Sequence, residues 1–395
     1  MRHSLTSQIP FVWLSILIAI SIPAFPATNI NPGDTIKPIL PKHYFQTMLV
    51  INGYRKPTRN LADTVNAISR RLQTYGIKQS CITIQIPLVT KDFPAYSSDT
   101  NAIANTHLLL TGTFVNLRPQ FDGIKEHRLT KRGIGLRYIY NNGKKGVWFF
   151  DISPFVTRDA SFKSTPYFRL ASTAIYSHNV TEKFNVRLGI TKSFLWGNRY
   201  YLPFIGIRVG KLDKLNLSIQ FPRSVTLFVP LGAKAVFSLY TKPQGGMYNF
   251  SNQDSLYSNK AYSTFHFTRY EINTGFRFDF RMGDHFSLFV STGLSTKNNI
   301  TFYSDKANSA RSKLPYRVYF YSKNPAPTLF FDLGMVFKFG KSRSIYNNRN
   351  LYDAVDLNST NSQNNGNREI PLTPKKMPSR INLESIQDLV DYNDF

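Results

Sequence analysis

One cysteine in 395 residues, Cys81, is the first constraint on this chain. A single thiol closes no internal disulfide and furnishes no multi-cysteine metal site, so it reads as a small strand residue. Acid is scarce as well: 23 Asp and Glu stand against 49 Lys and Arg, a formal charge of +26. The seven histidines are His3, His43, His107, His127, His178, His266 and His285, and no two fall at the i, i+4 spacing of a helical metal site. There is no GxSxG, no phosphate-binding glycine loop and no HExxH. Neither a metal nor a cofactor is expected. Beyond Ala27 no run of about 18 apolar residues remains, which excludes further spanning helices.

What is present begins at the N-terminus. Arg2 supplies a positive charge, Phe11 to Ile22 form an apolar core, and Pro23 to Ala27 offers small residues for cleavage, although Phe25 fits the A-x-A pattern poorly. Residues 1–27 therefore read as an export signal. The chain also holds 32 Phe and 22 Tyr, residue types that suit strands and collect at membrane interfaces. A mean hydropathy of −0.26 fits a soluble protein, yet it equally fits strands whose alternate residues face a polar interior.

The alternation is clearest from Leu329 to Phe339. Leu329, Phe331, Leu333, Met335, Phe337 and Phe339 are large and apolar, and Phe330, Asp332, Gly334, Val336 and Lys338 lie between them. A period of two gives a strand with two faces, one suited to hydrocarbon and one not. Similar runs recur from Cys81 onward. Ile134, Leu136, Tyr138 and Tyr140 precede the turn dipeptide Asn142-Gly143, and Phe184, Val186, Leu188 and Ile190 interleave with Asn185, Arg187 and Thr191. Ile272, Thr274, Phe276, Phe278 and Phe280 lead into the tight turn at Met282, Gly283 and Asp284, after which Phe286, Leu288 and Val290 resume.

These signals predict an all-β fold, an antiparallel transmembrane β-barrel over residues 81–339. About 12 strands are expected (10–14). The number is 12 if Leu215–Val229 is one interrupted strand, and 14 if it splits at Pro222 and His43–Tyr54 joins. Residues 28–80 read as an N-terminal periplasmic or plug-like segment. Its helix is expected at 61–75, because Leu61, Val65, Ile68 and Leu72 share one helical face and Gly76 follows. Lys242 to Ser263 and Lys297 to about Thr328 read as loops, the second with an arm at Tyr316–Tyr321. Residues 340–395 read as a mostly disordered periplasmic tail, Asn/Ser-rich and then acidic. The tail holds seven basic and seven acidic residues, so the excess charge sits in residues 28–339, with 41 basic against 16 acidic.

By the alternation, Arg137, Arg187, Arg208, Lys234, Glu271, Arg277, Asp279 and Arg281 fall on the lumen side. Such charges set selectivity in a channel or fill the interior of a closed barrel. His285 and Ser287 share a strand face and raise the idea of a lipid hydrolase. They fall on the lumen side, away from lipid, so no catalytic residue is expected.

The export signal, the alternating aromatic strands and the terminal Gly334, Met335, Val336, Phe337, Lys338 and Phe339 resemble Gram-negative outer-membrane β-barrels. The segments Tyr201–Gly206 and Leu217–Pro222 are similar to an uncharacterised barrel family, a domain of unknown function. One departure stands out: such barrels end at their terminal aromatic, and here a further segment follows Phe339. The resemblance implies an outer-membrane location and insertion by the barrel-assembly machinery, and it carries no site residues across. The expected function is a porin-like, non-enzymatic channel for small solutes, passive or weakly anion-preferring. The alternative is a closed structural or partner-binding barrel, with the tail as the contact for a periplasmic partner. Lipid is the expected surrounding and nucleic acid is not an expected partner.

Overall fold

The computed structural model describes residues 46–61, 74–94, 103–122, 125–142, 145–162, 166–181, 183–194, 199–211, 214–232, 234–251, 264–283, 285–306 and 316–339. The expected export signal, most of the expected helix and the expected tail lie outside them. Every regular element among the described residues is a strand: β1 Thr47–Asn60, β2 Thr74–Pro94, β3 Ile103–Gln120, β4 Leu129–Asn141, β5 Gly146–Asp159, β6 Tyr167–Thr181, β7 Phe184–Ser193, β8 Tyr200–Gly210, β9 Asn216–Phe221, β10 Ser224–Pro230, β11 Ala235–Ser251, β12 Thr264–Arg281, β13 Phe286–Lys306, β14 Tyr316–Lys323 and β15 Thr328–Phe339.

Each strand pairs antiparallel with its predecessor from β1 to β13, and β15 pairs with both β13 and β1. That closes a barrel of 14 strands, in which every member has a strand neighbour on both sides over part of its length. The short β14 is an arm on the far end of β13, matching Ile300–Lys306 to Lys323–Tyr316. The closing strand is the one whose alternation is clearest in the sequence. Thr47 pairs with Phe339 and Arg55 with Phe331, so β15 meets β1 over its apolar stretch.

Three expectations are corrected. The ring has 14 strands instead of 12, because Leu215–Val229 splits into β9 and β10 at Pro222 and Arg223, and because the first strand is a full wall member, Thr47–Asn60. Thr74, Tyr75 and Gly76 belong to β2 and do not end a helix. A Cβ on Gly76 would come within 3.1 Å of the Thr58 backbone, where β1 bulges between Lys56 and Arg59. The glycine thus marks a close approach of two strands. Finally, both expected loops are strand where they begin: Lys242–Ser251 continues β11 in register with β12, Gly245 and Gly246 included, and Lys297–Lys306 lies in β13, with Asn299–Tyr303 paired to Tyr270–His266.

Connections at one end of the ring, which we call the turn end, include residues 182–183, 231–234 and 282–285. The opposite, loop end carries 61–73, 252–263 and the excursion through β14. Residues Thr47 and Phe339 both lie at the turn end.

Candidate functional site in the barrel interior

Alternation sorts the side chains into two surfaces. Leu136, Leu188, Ile190, Ile205, Val209, Phe276, Phe278, Val290, Leu329, Phe331 and Leu333 are large, apolar and exposed on the outer wall. Arg137, Arg187, Arg208 and Glu271 are buried on the inner side, with at most 3% of their surface accessible. Arg277 and Asp279 are half-buried on the same inner side. Lys234 and Arg281 are exposed at the turn end, Lys234 in the turn between β10 and β11 and Arg281 as the last residue of β12, and the Arg281 amide donates to the Lys234 carbonyl at 2.7 Å.

The inner charges are held by specific partners. Arg137 Nε donates to Asp151 Oδ2 at 2.8 Å and Nη1 to Gln85 at 3.1 Å, while its guanidinium lies over Phe149. Arg187 Nε donates to Asn185 Oδ1 at 2.9 Å. Arg277 pairs with Asp279 at 2.6 Å and covers the Phe289 ring at 4.0 Å. Phe289 in turn lies over Gly334 on the adjoining strand, where any Cβ would collide with the ring. An aromatic ring over a strand glycine replaces the missing side-chain packing. A shallow pocket on the inner wall of β2 to β5 is lined by Thr83, Gln85, Thr111, Lys131, Arg137 and Ser153.

At the loop-end half, side chains meet across the interior. Glu271 on β12 accepts hydrogen bonds from Lys56 Nζ at 2.7 Å, from Tyr54 Oη at 2.8 Å and from Arg269 Nη1 at 3.1 Å. Lys56 also reaches Asn298 on β13 at 3.1 Å, and Arg269 reaches Gln79 on β2 at 2.6 Å. Strands β1 and β12 are not neighbours, since β15 and β13 stand between them. The cluster is therefore a bridge over the interior and not a ladder contact. Two cations on one carboxylate, with hydrogen bonds from a phenol, satisfy charges that burial would otherwise penalise.

Aromatics complete this closure. Phe121 meets Phe302 with ring centroids 5.9 Å apart and Phe267 at 6.3 Å, Phe250 meets Phe302 at 5.0 Å, and Tyr54 stacks on Phe330 at 5.8 Å. Nearer the turn end, Met48, Val50, Leu109, Ile139, Phe149, Ile175, Phe204 and Phe289 form a second buried cluster drawn from strands around the ring.

Sequence reasoning found Glu271 but missed Tyr54, Lys56, Arg269 and Asn298. The spacing was readable: Tyr54 and Lys56 are two apart, as are Arg269, Glu271 and Asn273, so each set shares a strand face. Lys56 was hidden by the end given to the first strand at Tyr54, Arg269 by the late start given to the strand at Ile272, and Asn298 by the loop expected from Lys297. His285 spends its ring nitrogen on the Lys338 carbonyl at 3.0 Å, and no hydrogen bond joins it to Ser287 among the described residues.

No protein-family model matches the chain, and no curated protein matches it. Solved structures similar to it include the translocator domain of the autotransporter NalP from Neisseria meningitidis, 11% identical over 74% of this chain and 89% of that one, with a TM-score of 0.31. An outer-membrane channel from Pseudomonas putida F1 is 11% identical over 78% of this chain and 100% of that one, at 0.35. OpdQ from Pseudomonas aeruginosa is 7% identical over 74% and 98%, at 0.24. At these scores the functional reading has to come from the chain's own residues.

Proposed function

We propose that this chain is an outer-membrane β-barrel whose lumen is occluded at rest by its own side chains. The membrane location is supported by the belt of exposed Leu, Ile, Val and Phe around a closed ring, the surface that hydrocarbon demands. The export signal of residues 1–27 is consistent with it, as is insertion by the barrel-assembly machinery. The turn end then faces the periplasm and the long loops face outward, as is usual for such barrels.

The observation that carries the occluded state is the bridge from Lys56 and Tyr54 to Glu271. An open aqueous pore would hydrate those charges, and here they are buried against each other and roofed by aromatics. The protein works as a closed barrel of the cell envelope, with the tail after Phe339 available to a periplasmic partner. A second reading has its own support. The pocket lined by Lys131, Arg137 and hydroxyl groups suits small anionic solutes, which pass only when the bridge is broken.

Membrane fractionation with a heat-dependent gel shift tests the barrel and its location. Planar-bilayer recording tests the occlusion. The wild type is expected to show no steady conductance, and a permanently open ohmic pore would overturn the closed lumen.

A further inference from the structure

The wall is not laddered all the way up. β9 and β10 have six and seven residues, fewer than the roughly 9–11 that cross a bilayer. The ladder between β10 and β11 stops at Val225 with Thr241, while β11 runs on to Ser251. Its upper stretch, Lys242–Ser251, keeps β12 as its backbone partner on one side. Among the described residues it has no strand partner on the other.

That open edge is met by side chains. The Ser251 amide donates to Asp159 Oδ2 at 3.2 Å, at the far end of β5. His127 Nδ1 bonds the same carboxylate oxygen, and the His127 ring stacks on Phe250 at 3.6 Å. Arg169 on β6 donates to Asn249 Oδ1 at 3.3 Å. Tyr167 meets the His266 ring edge-on at 5.4 Å. Residues Met247 to Ser251 are all buried in succession, where a one-faced strand would alternate. They are covered on both faces, which places the end of β11 inside a seam.

A bend lies below that seam. The β12–β13 ladder shifts register between Tyr270 and Ile272. Opposite, Lys297 has φ of 46°, a left-handed conformation uncommon for a residue with a long side chain. A bulge of this kind bends and re-aims the strands that pass through it. Glu271 sits in the bulge on β12, and Asn298 is on its β13 side, so the Lys56 bridge holds the bend itself.

We infer that the upper stretches of β11, β12 and β13 form a lid, hinged at the Glu271–Lys297 bulge and clasped to β5 and β6 by the Asp159 and Arg169 seam. Among the described residues, parting the seam breaks side-chain contacts and the bond from the Ser251 amide to Asp159 but no backbone ladder, and lifting the lid also parts Arg269 from Gln79 and Phe121 from Phe267 and Phe302. That makes it a weak line in the wall at the loop end. The lid deepens the reading of an occluded barrel and gives it a route to opening on the outer side.

Thiol accessibility in the whole protein, in cells, tests the lid apart from any conductance. In a Cys81→Ser background, Ser251→Cys reports on the seam, and Ser291→Cys reports on the laddered interior below the bulge, where it is equally buried. Adding Asp159→Ala should speed labelling at position 251 by a membrane-impermeant maleimide about tenfold or more, the factor that ~1.4 kcal/mol makes in an opening equilibrium. Labelling at 291 should stay unchanged. The pair Asp159→Cys with Ser251→Cys should cross-link on oxidation without losing the heat-dependent gel shift of the folded barrel. Acceleration at both positions, or at neither, would overturn the lid, as would failure of the folded pair to cross-link. An open wild-type pore with a seam that still opens on cue would remove the occluded state and leave the lid standing.

Discussion

The turn-end and loop-end halves of this barrel obey different rules. In β8 near the turn end, Ile205, Ile207 and Val209 are exposed and Phe204, Gly206 and Arg208 are buried, one for one. In β11 near the loop end, alternation stops and consecutive residues are buried. The first arrangement needs only a membrane outside and a polar interior. The second needs other parts of the chain to cover a strand on both sides. A single sheet thus presents an alternating wall with an apolar outer face at one end and a packed core at the other.

The sharpest test of that difference is Glu271→Ala. It leaves Lys56 and Arg269 buried without their shared carboxylate, and breaking a buried pair in this way costs about 3–5 kcal/mol. Equilibrium unfolding in lipid, read by gel mobility, should show the loss, and planar-bilayer recording should show conductance that the wild type lacks. A smaller cost is expected on the outer wall. Leu188→Arg places a charge halfway along β7, where Leu188 is 55% exposed, and should cost about 2–4 kcal/mol in the same unfolding assay. If it costs nothing, the belt does not face hydrocarbon.

Gly334→Val tests the interior near the turn end. It forces Phe289 and Arg277 from their stack, with an overpacking cost of about 1–3 kcal/mol and no change in the loop-end bridge. The smallest effect is expected for Tyr201→Arg. Tyr201 lies near the upper end of β8 and is exposed, at the level where aromatics border the head groups. Arginine there should cost about 0–1 kcal/mol. A cost equal to that of Leu188→Arg would place Tyr201 deep in the bilayer and move the whole belt.

How much was legible follows the same division. Leu329–Phe339 announced a two-faced strand, and β15 covers it from Thr328 to Phe339, because a half-exposed strand writes its environment into every second residue. The hairpin around Gly283 was equally plain, since turn and strand chemistry agree locally. The spacing of Leu61 and Leu72 suggested a helix, but Thr74 and Tyr75 are held in β2 by β1. Lys242–Ser251 resembled a loop through its glycines and polar residues, although register with β12 keeps it extended. Tertiary pairing overrode local preference at Thr74 and Tyr75 and along Lys242–Ser251, while residues 62–73 of the expected helix lie outside the described residues.

By itself, the sequence determined a chain of two-faced strands with an apolar side, an excess of cationic residues among them and a terminal strand set back from the end. These properties depend on neighbours in the chain and on what surrounds a strand. Only the tertiary structure decided that the ring has 14 members, that β9 and β10 fall short, and that Lys56 meets Glu271 while Asp159 meets Ser251. Those partners are far apart along the chain. Closure of the sheet brings them within hydrogen-bond distance, and no periodicity in the sequence encodes which strands will face each other across the interior.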